Sequence, residues 1–379
     1  MRIIFSVLFI VFGFFFGSSQ ISNVKEELLL PTMPVNLSES SGAIFFNDKL
    51  ITHTDSGGES KLYELDITSG LVTRTVTISN ATNIDWEDVT QDESYIYIGD
   101  IGNNEGNRAN LKIYKISKAD YLNATTVTAQ IIAFGYANQV DFTSNSNNNE
   151  WDAEALVSFN ATTLILFSKN WVTGITKGYL IPKTPGNYSI NPLTTPLNSG
   201  GLISGGTYNN LSGKLYLVGY TNFLQPFVWV SENFNGSDIF SGINTKTLLS
   251  SLGQEQIEAI AFTNENKYLM TSESFSVSVG FFTVSDDAKL ISFATTDTLL
   301  AIQNENPQND VVAYPNPVFY YLTIDTLNSS SIELFDAKAM LIYKGNGNKV
   351  DMSHFSNGLY MVKINFKDGT FSIKKVVKK

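Results

Sequence analysis

Along most of the chain, short apolar runs alternate with polar turns of Asn, Gly, Ser and Thr, and no helical 3.6-residue period is sustained. Residues 95–102, 163–169, 214–220 and 267–274 are dense in β-branched and aromatic side chains, which suit the pleated surface of a strand. The pattern predicts an all-β protein. Laid over one another, the segments starting at Ser41, Ile84, Trp151, Leu202 and Ile257 share one plan of strand, turn and second apolar strand, often with a third strand such as 61–66 or 111–116. A spacing of roughly 45–65 residues with about four short strands per unit is the signature of propeller blades. Residues 275–293, joined by the start of the mature chain, supply a further unit. The expectation is therefore a β-propeller of about six blades over residues 21–294, with a β-sandwich or two separate β domains as the competing arrangement.

The two ends follow different rules. After Arg2 comes an apolar run over residues 3–16, then Gly17, Ser18 and Ser19. This run is shorter than the roughly 20 residues that span a bilayer as a helix, and its flanks predict a cleavable export signal over residues 1–20. An uncleaved anchor is the alternative. Nothing later is long and apolar enough to span, so no transmembrane segment is expected after cleavage. Residues 295–310 lose alternation and gain Asn, Gln and Pro, the mark of a linker. Residues 311–379 regain alternating strands, turn at Asn357 and Gly358, and end in lysines, which suits a small immunoglobulin-like β-sandwich.

Composition narrows the chemistry. The 379 residues are 43% hydrophobic with a formal net charge of −11, which disfavours nucleic acid and anionic membranes and favours cations. There is no cysteine, which excludes disulfides and thiolate metal sites, and His53 and His354 are the only histidines. Metal chemistry would fall to oxygen ligands.

In the C-terminal stretch, Tyr314-Pro315-Asn316-Pro317 opens the module, a strand at 332–336 turns into 341–344, Ser356 to Tyr360 with Gly358 precede a last hairpin, and residues 374–379 are Lys-Lys-Val-Val-Lys-Lys. Together these resemble the type A sorting domain of type IX secretion cargo in Bacteroidetes-like bacteria. The resemblance implies a partner, the type IX secretion machinery, and a route through the periplasm to the cell surface or medium, with the domain removed on the way.

Within the repeat, one position is recurrently acidic. Glu87, Glu154 and Glu258 each begin the first strand of a unit, and inner strands of a propeller line a central channel, so the three carboxylates are expected to form a ring. Crowded carboxylates raise one another's pKa or require a cation, and calcium prefers six to eight oxygen ligands. Asp85, Asp152, Asp55 and Asp100 stand in adjoining turns. The competing reading makes these acids strand-end caps bonded to backbone N–H groups.

The same segments loosely resemble secreted six-bladed phytase-like and esterase-like propellers. That resemblance implies calcium held by carboxylates and phosphate held by basic residues, for which Arg108 and Lys169 are the candidates, with an ordinary salt bridge as the other reading of Arg108. Asp55-Ser56-Gly57-Gly58 mimics a serine-protease nucleophile segment, but a triad needs a histidine beside the serine, and His53 lies on the same short strand end. Two functions remain open. One is a calcium-stabilised module recognising an extracellular glycan, polymer or protein, with Trp86, Trp151, Trp171 and Trp229 as stacking candidates; the other is a metal-assisted phosphatase-like or esterase-like hydrolase.

Overall fold

Five sheets begin with short strands that pack side by side in a closed circle, Ser40–Phe46, Trp86–Gln91, Ala153–Ser158, Leu202–Asn209 and Gln256–Asn264, the last lying against the first. The fold is a β-propeller, seen in a computed structural model that describes residues 25–279, 282–297, 311–325, 329–336, 340–367 and 371–379. The predicted signal at 1–20 and the predicted linker beyond residue 297 lie outside the described residues. The chain divides into two units, Met1–Thr298 and Leu299–Lys379.

The ring closes with five blades, and the sixth expected from residues 275–293 and the chain start is absorbed into the fifth. Leu290–Ala294 pairs with Lys267–Glu273, and Lys25–Leu30 pairs antiparallel with Leu290–Ala294, so both ends of the unit share one sheet. Phe275–Val279 and Phe282–Asp286 form a separate hairpin. Blade three keeps three strands, because Gly186–Ile190 pairs in parallel with Gln130–Tyr136 of blade two.

The second strand of each blade explains the unbroken apolar runs. Each is buried on both faces, so neighbouring residues serve opposite seams: Ile96 and Ile98 face blade one while Tyr97 faces blade three. Likewise Leu215 and Leu217 pack toward blade three, and Tyr216 and Val218 toward blade five. One apolar cluster fills each of the five seams. Full burial of such a side chain is worth about 1.5–3 kcal/mol, so the seams are the main source of stability.

The second unit is a β-sandwich. One sheet carries Val312–Tyr314, Tyr321–Asp325 and Lys349–Asp351, and the other carries Leu341–Gly345, Ser329–Phe335, Gly358–Phe366 and Phe371–Lys378. Leu322, Ile324, Ile332, Leu334, Val362 and Ile364 share its core.

Candidate functional site

In every blade the first and second strands slip register by one residue at the same height. The extra residue is Glu87 in blade two, Glu154 in blade three, Ser204 in blade four and Glu258 in blade five, while blade one has Ser41 and Gly42 there. A bulge turns one side chain out of the regular alternation, and here it turns Ser41, Glu87, Glu154 and Glu258 into one cavity of about 310 Å³. The expected convergence of the three glutamates is present.

A second tier comes from the ends of the second strands. Asp55 follows Lys49–Thr54, Lys169 follows Thr163–Ser168, and Tyr220 and Glu273 close Lys214–Tyr220 and Lys267–Glu273; all four line the same cavity. Blade two places the fully buried Ile101 at this point. Sequence reasoning missed Tyr220 and Glu273. Aligning the repeats on their second strands rather than their first would have found them, because both stand in register with Asp55 and Lys169.

The cavity is acidic and its glutamates are buried. Glu87 is 3% exposed, Glu154 3% and Glu258 4%. Burial, then the charge of Asp55, pushes the Glu258 carboxyl up to about 7, with Lys169 opposing. Burial, followed by Glu154, Asp55 and Asp85, holds Glu87 well above the usual carboxylate range. Glu273 is raised by burial and by Glu258. Lys169 supplies the cavity's positive charge: its Nζ lies 2.6 Å from Glu154 Oε1, and although burial opposes the ammonium, Glu154, Tyr220 and Glu258 raise its pKa well above the ordinary lysine value. Glu154 is thereby compensated within the protein.

Asp55, Asp85 and Glu87 are not. One carboxylate oxygen of each lies within 4.8 Å of the others. Asp55 accepts the Ser56 N–H at 2.5 Å, but among the described residues no donor reaches the carboxylates of Asp85 or Glu87. Burial and the charges of Asp55 and Asp152 push Asp85 up to about 7. Gly102 leaves space beside this group, since a Cβ there would stand 2.1 Å from Glu87 Oε1 and 2.4 Å from Asp85 Oδ2. The donor set, all hard oxygens with no nitrogen or sulfur, fits a calcium-like ion.

The remaining candidates are occupied by the protein itself. Asp152 accepts the Asn103 N–H at 2.6 Å and the Trp171 indole N–H at 2.7 Å, which is the capping arrangement. Asp100 Oδ1 accepts Arg108 Nη2 at 2.7 Å and the Asp85 N–H at 3.2 Å, and Arg108 also donates to the Gly102 carbonyl at 2.6 Å. Neither Asp100 nor Arg108 lines the cavity. His53 is fully buried against Trp86 and held down to about 4 by desolvation, so Ser56 has no base beside it. Trp86 is seam core, Trp151 packs on Tyr136, Trp229 donates to the Ser199 carbonyl at 3.0 Å, and Trp171 alone of the four lines the acidic cavity.

In the second unit, Tyr314, Pro315, Asn316 and Pro317 are exposed. Asn316 clasps the final strand, donating to the Lys375 carbonyl at 2.8 Å and accepting the Val377 N–H at 2.9 Å. Gly358 starts the strand in which Tyr360 is buried, and the Tyr360 hydroxyl donates to the Ser356 carbonyl at 2.6 Å.

Residues 312–379 match the family of secretion system C-terminal sorting domains. This unit directs export through the type IX system to the cell surface or extracellular space, and it engages that machinery. No helix among the described residues is long and apolar enough to cross a membrane. No curated protein matches the chain. Among solved structures, a PQQ-bound aldose sugar dehydrogenase from Streptomyces coelicolor is 10% identical, covering 72% of this chain and 99% of its own, with a TM-score of 0.40. A glucose dehydrogenase is 10% identical over 72% of this chain and all of its own, at 0.42. The Malassezia sympodialis allergen Mala s 1 is 11% identical over 70% and 95%, at 0.39. The propeller assignment rests on the closed ring of inner strands.

Proposed function

We propose that the exported propeller is an extracellular binding module whose acidic channel mouth holds a divalent cation, with calcium the ion that suits it. The carrying observation is the trio of Asp55, Asp85 and Glu87, whose oxygens lie within 4.8 Å of one another while two of the three carboxylates lack a donor among the described residues. Ligands on opposite sides of a calcium ion at about 2.4 Å stand about 4.8 Å apart, so three oxygens within that limit of one another can share one ion. Lys169 is ion-paired with Glu154 and Arg108 with Asp100, so neither cation is bonded to the trio, although both charges are felt there.

A metal-assisted hydrolase would need, beside the ion, a free cation or N–H donor for the charge developing on a phosphoryl or ester oxygen. Arg108 is turned to Asp100 and Lys169 to Glu154, so the geometry favours binding over turnover. The test is thermal unfolding with chelator and with calcium. At about 100 times Kd, calcium should stabilise the parent by about 2.7 kcal/mol, and the Glu87→Gln variant, which keeps the shape but loses the ligand, should gain far less. An unchanged melting temperature of the parent in saturating calcium would sink the reading, and calcium-dependent phosphatase or esterase turnover would move it to the hydrolase.

A further inference from the structure

The opposite mouth of the channel has a different chemistry. Four residues beyond the bulge, the five inner strands present Phe45, Gln91, Ser158, Tyr208 and Phe262, about 13 Å from the glutamates at 3.3 Å per residue. All five line a groove of about 1020 Å³, the size of a site for several sugar rings. Three of these five positions are aromatic, and their rings, together with Phe159, are half-buried with part of each surface open.

Lysines gather at the same groove. Lys115 Nζ lies 3.9 Å from the Tyr95 ring centre and Lys118 Nζ 4.2 Å from that of Phe46. Lys183 is committed, donating to Asp92 at 2.9 Å and to Ser158 at 2.7 Å. Lys115 donates to the Lys183 carbonyl at 3.0 Å, and neither Lys115 nor Lys118 makes an ion pair with a carboxylate among the described residues. Burial holds both ammonium groups below the ordinary lysine value, so each gains from an incoming anion. Asp48, Asp92 and Glu93 also line the groove and offset its lysines, so charge alone does not hold a polyanion there and binding needs the rings as well.

We infer that this second mouth binds a polysaccharide chain carrying carboxylate groups, with pyranose faces on the aromatic ring and a sugar carboxylate at Lys115 and Lys118. The inference deepens the reading of the propeller as an extracellular binding module, but it needs no metal. Aromatic faces accept the C–H face of a sugar, and an ammonium meets a carboxylate through charge-assisted hydrogen bonds.

The experiment is calorimetry of the intact protein in chelator, with a uronic acid hexamer, the same hexamer with its carboxyls reduced to alcohols, and polyglutamate. The acidic hexamer should bind at least about tenfold more tightly than the neutral one, the worth of a charged hydrogen bond, and polyglutamate should not bind. Lys115→Gln combined with Lys118→Gln should keep the melting temperature, because burial disfavours both charges, and should erase the preference. No binding of the acidic hexamer, equal binding of both hexamers, binding of polyglutamate, or a preference that survives in the double variant overturns the assignment. Chelator keeps the result separate from the acidic mouth, so failure of one reading does not imply failure of the other.

Discussion

Glu258 and Asp85 contribute to the pH behaviour of the cation-free protein, in the same direction as the raised carboxyls of Glu87, Glu154 and Glu273. Both carboxyls hold their protons to about 7 in the fold, against reference values of 4.5 and 3.8. Between those limits the folded chain binds more protons than the unfolded chain, so stability is highest at the acid end of the window and falls as pH rises. With chelator present, the urea midpoint should drop between pH 5 and pH 8, and saturating calcium at pH 8 should recover much of the loss; a flat profile would show that Lys169 alone compensates the cavity. Glu87, Glu154 and Glu258 were legible in the sequence because each begins its repeat. Ser41 and Ser204 occupy the same bulge in blades one and four but carry no charge to mark the position. For Arg108 and Asp152 the sequence left two readings open, and the salt bridge and the cap are the ones found, since a side chain's partner across a turn depends on how the turn closes.

Among the elements, the inner strands are constrained by how closely five of them approach. Small residues lie next to the bulges in four of the five blades, Gly42, Ala155, Gly205 and Ala259, and the buried Asp88 stands there in blade two. A Cβ on Gly42 would stand 2.3 Å from the Val89 nitrogen and 2.5 Å from the Asp88 Cα, where only backbone could move to make room. Gly42→Ala should therefore cost about 1–3 kcal/mol in chemical denaturation. Gly135→Ala, on an outer strand with nothing within 4 Å, should stay within about 0.5 kcal/mol and serves as the control. Equal effects would show that the inner strands are less tightly packed than described. The repeating strand pairs were readable because doubly buried second strands leave nearly continuous apolar runs, as in residues 95–101 and 214–220. The blade count was not readable to the last unit, because Lys25–Leu30 and Leu290–Ala294 are far apart in sequence and similar in pattern to the strands of a separate blade.

At the scale of the molecule, the chain joins a C-terminal export unit to a five-bladed propeller with a cavity at each end of its inner strands. The C-terminal unit carries its own core and directs the protein through the type IX system to the cell surface or extracellular space. The propeller's acidic mouth and its aromatic mouth are built from the same five strands, one by the bulges and one by the residues four positions on. The central claim is that the acidic mouth holds an ion, and a crystal grown in calcium and measured for anomalous scattering tests it most directly. The account predicts one peak at 2.3–2.6 Å from oxygens of Asp55, Asp85 and Glu87, with Lys169 still on Glu154. A map with no peak there, and with Asp85 or Glu87 instead hydrogen-bonded to protein or water, would contradict it.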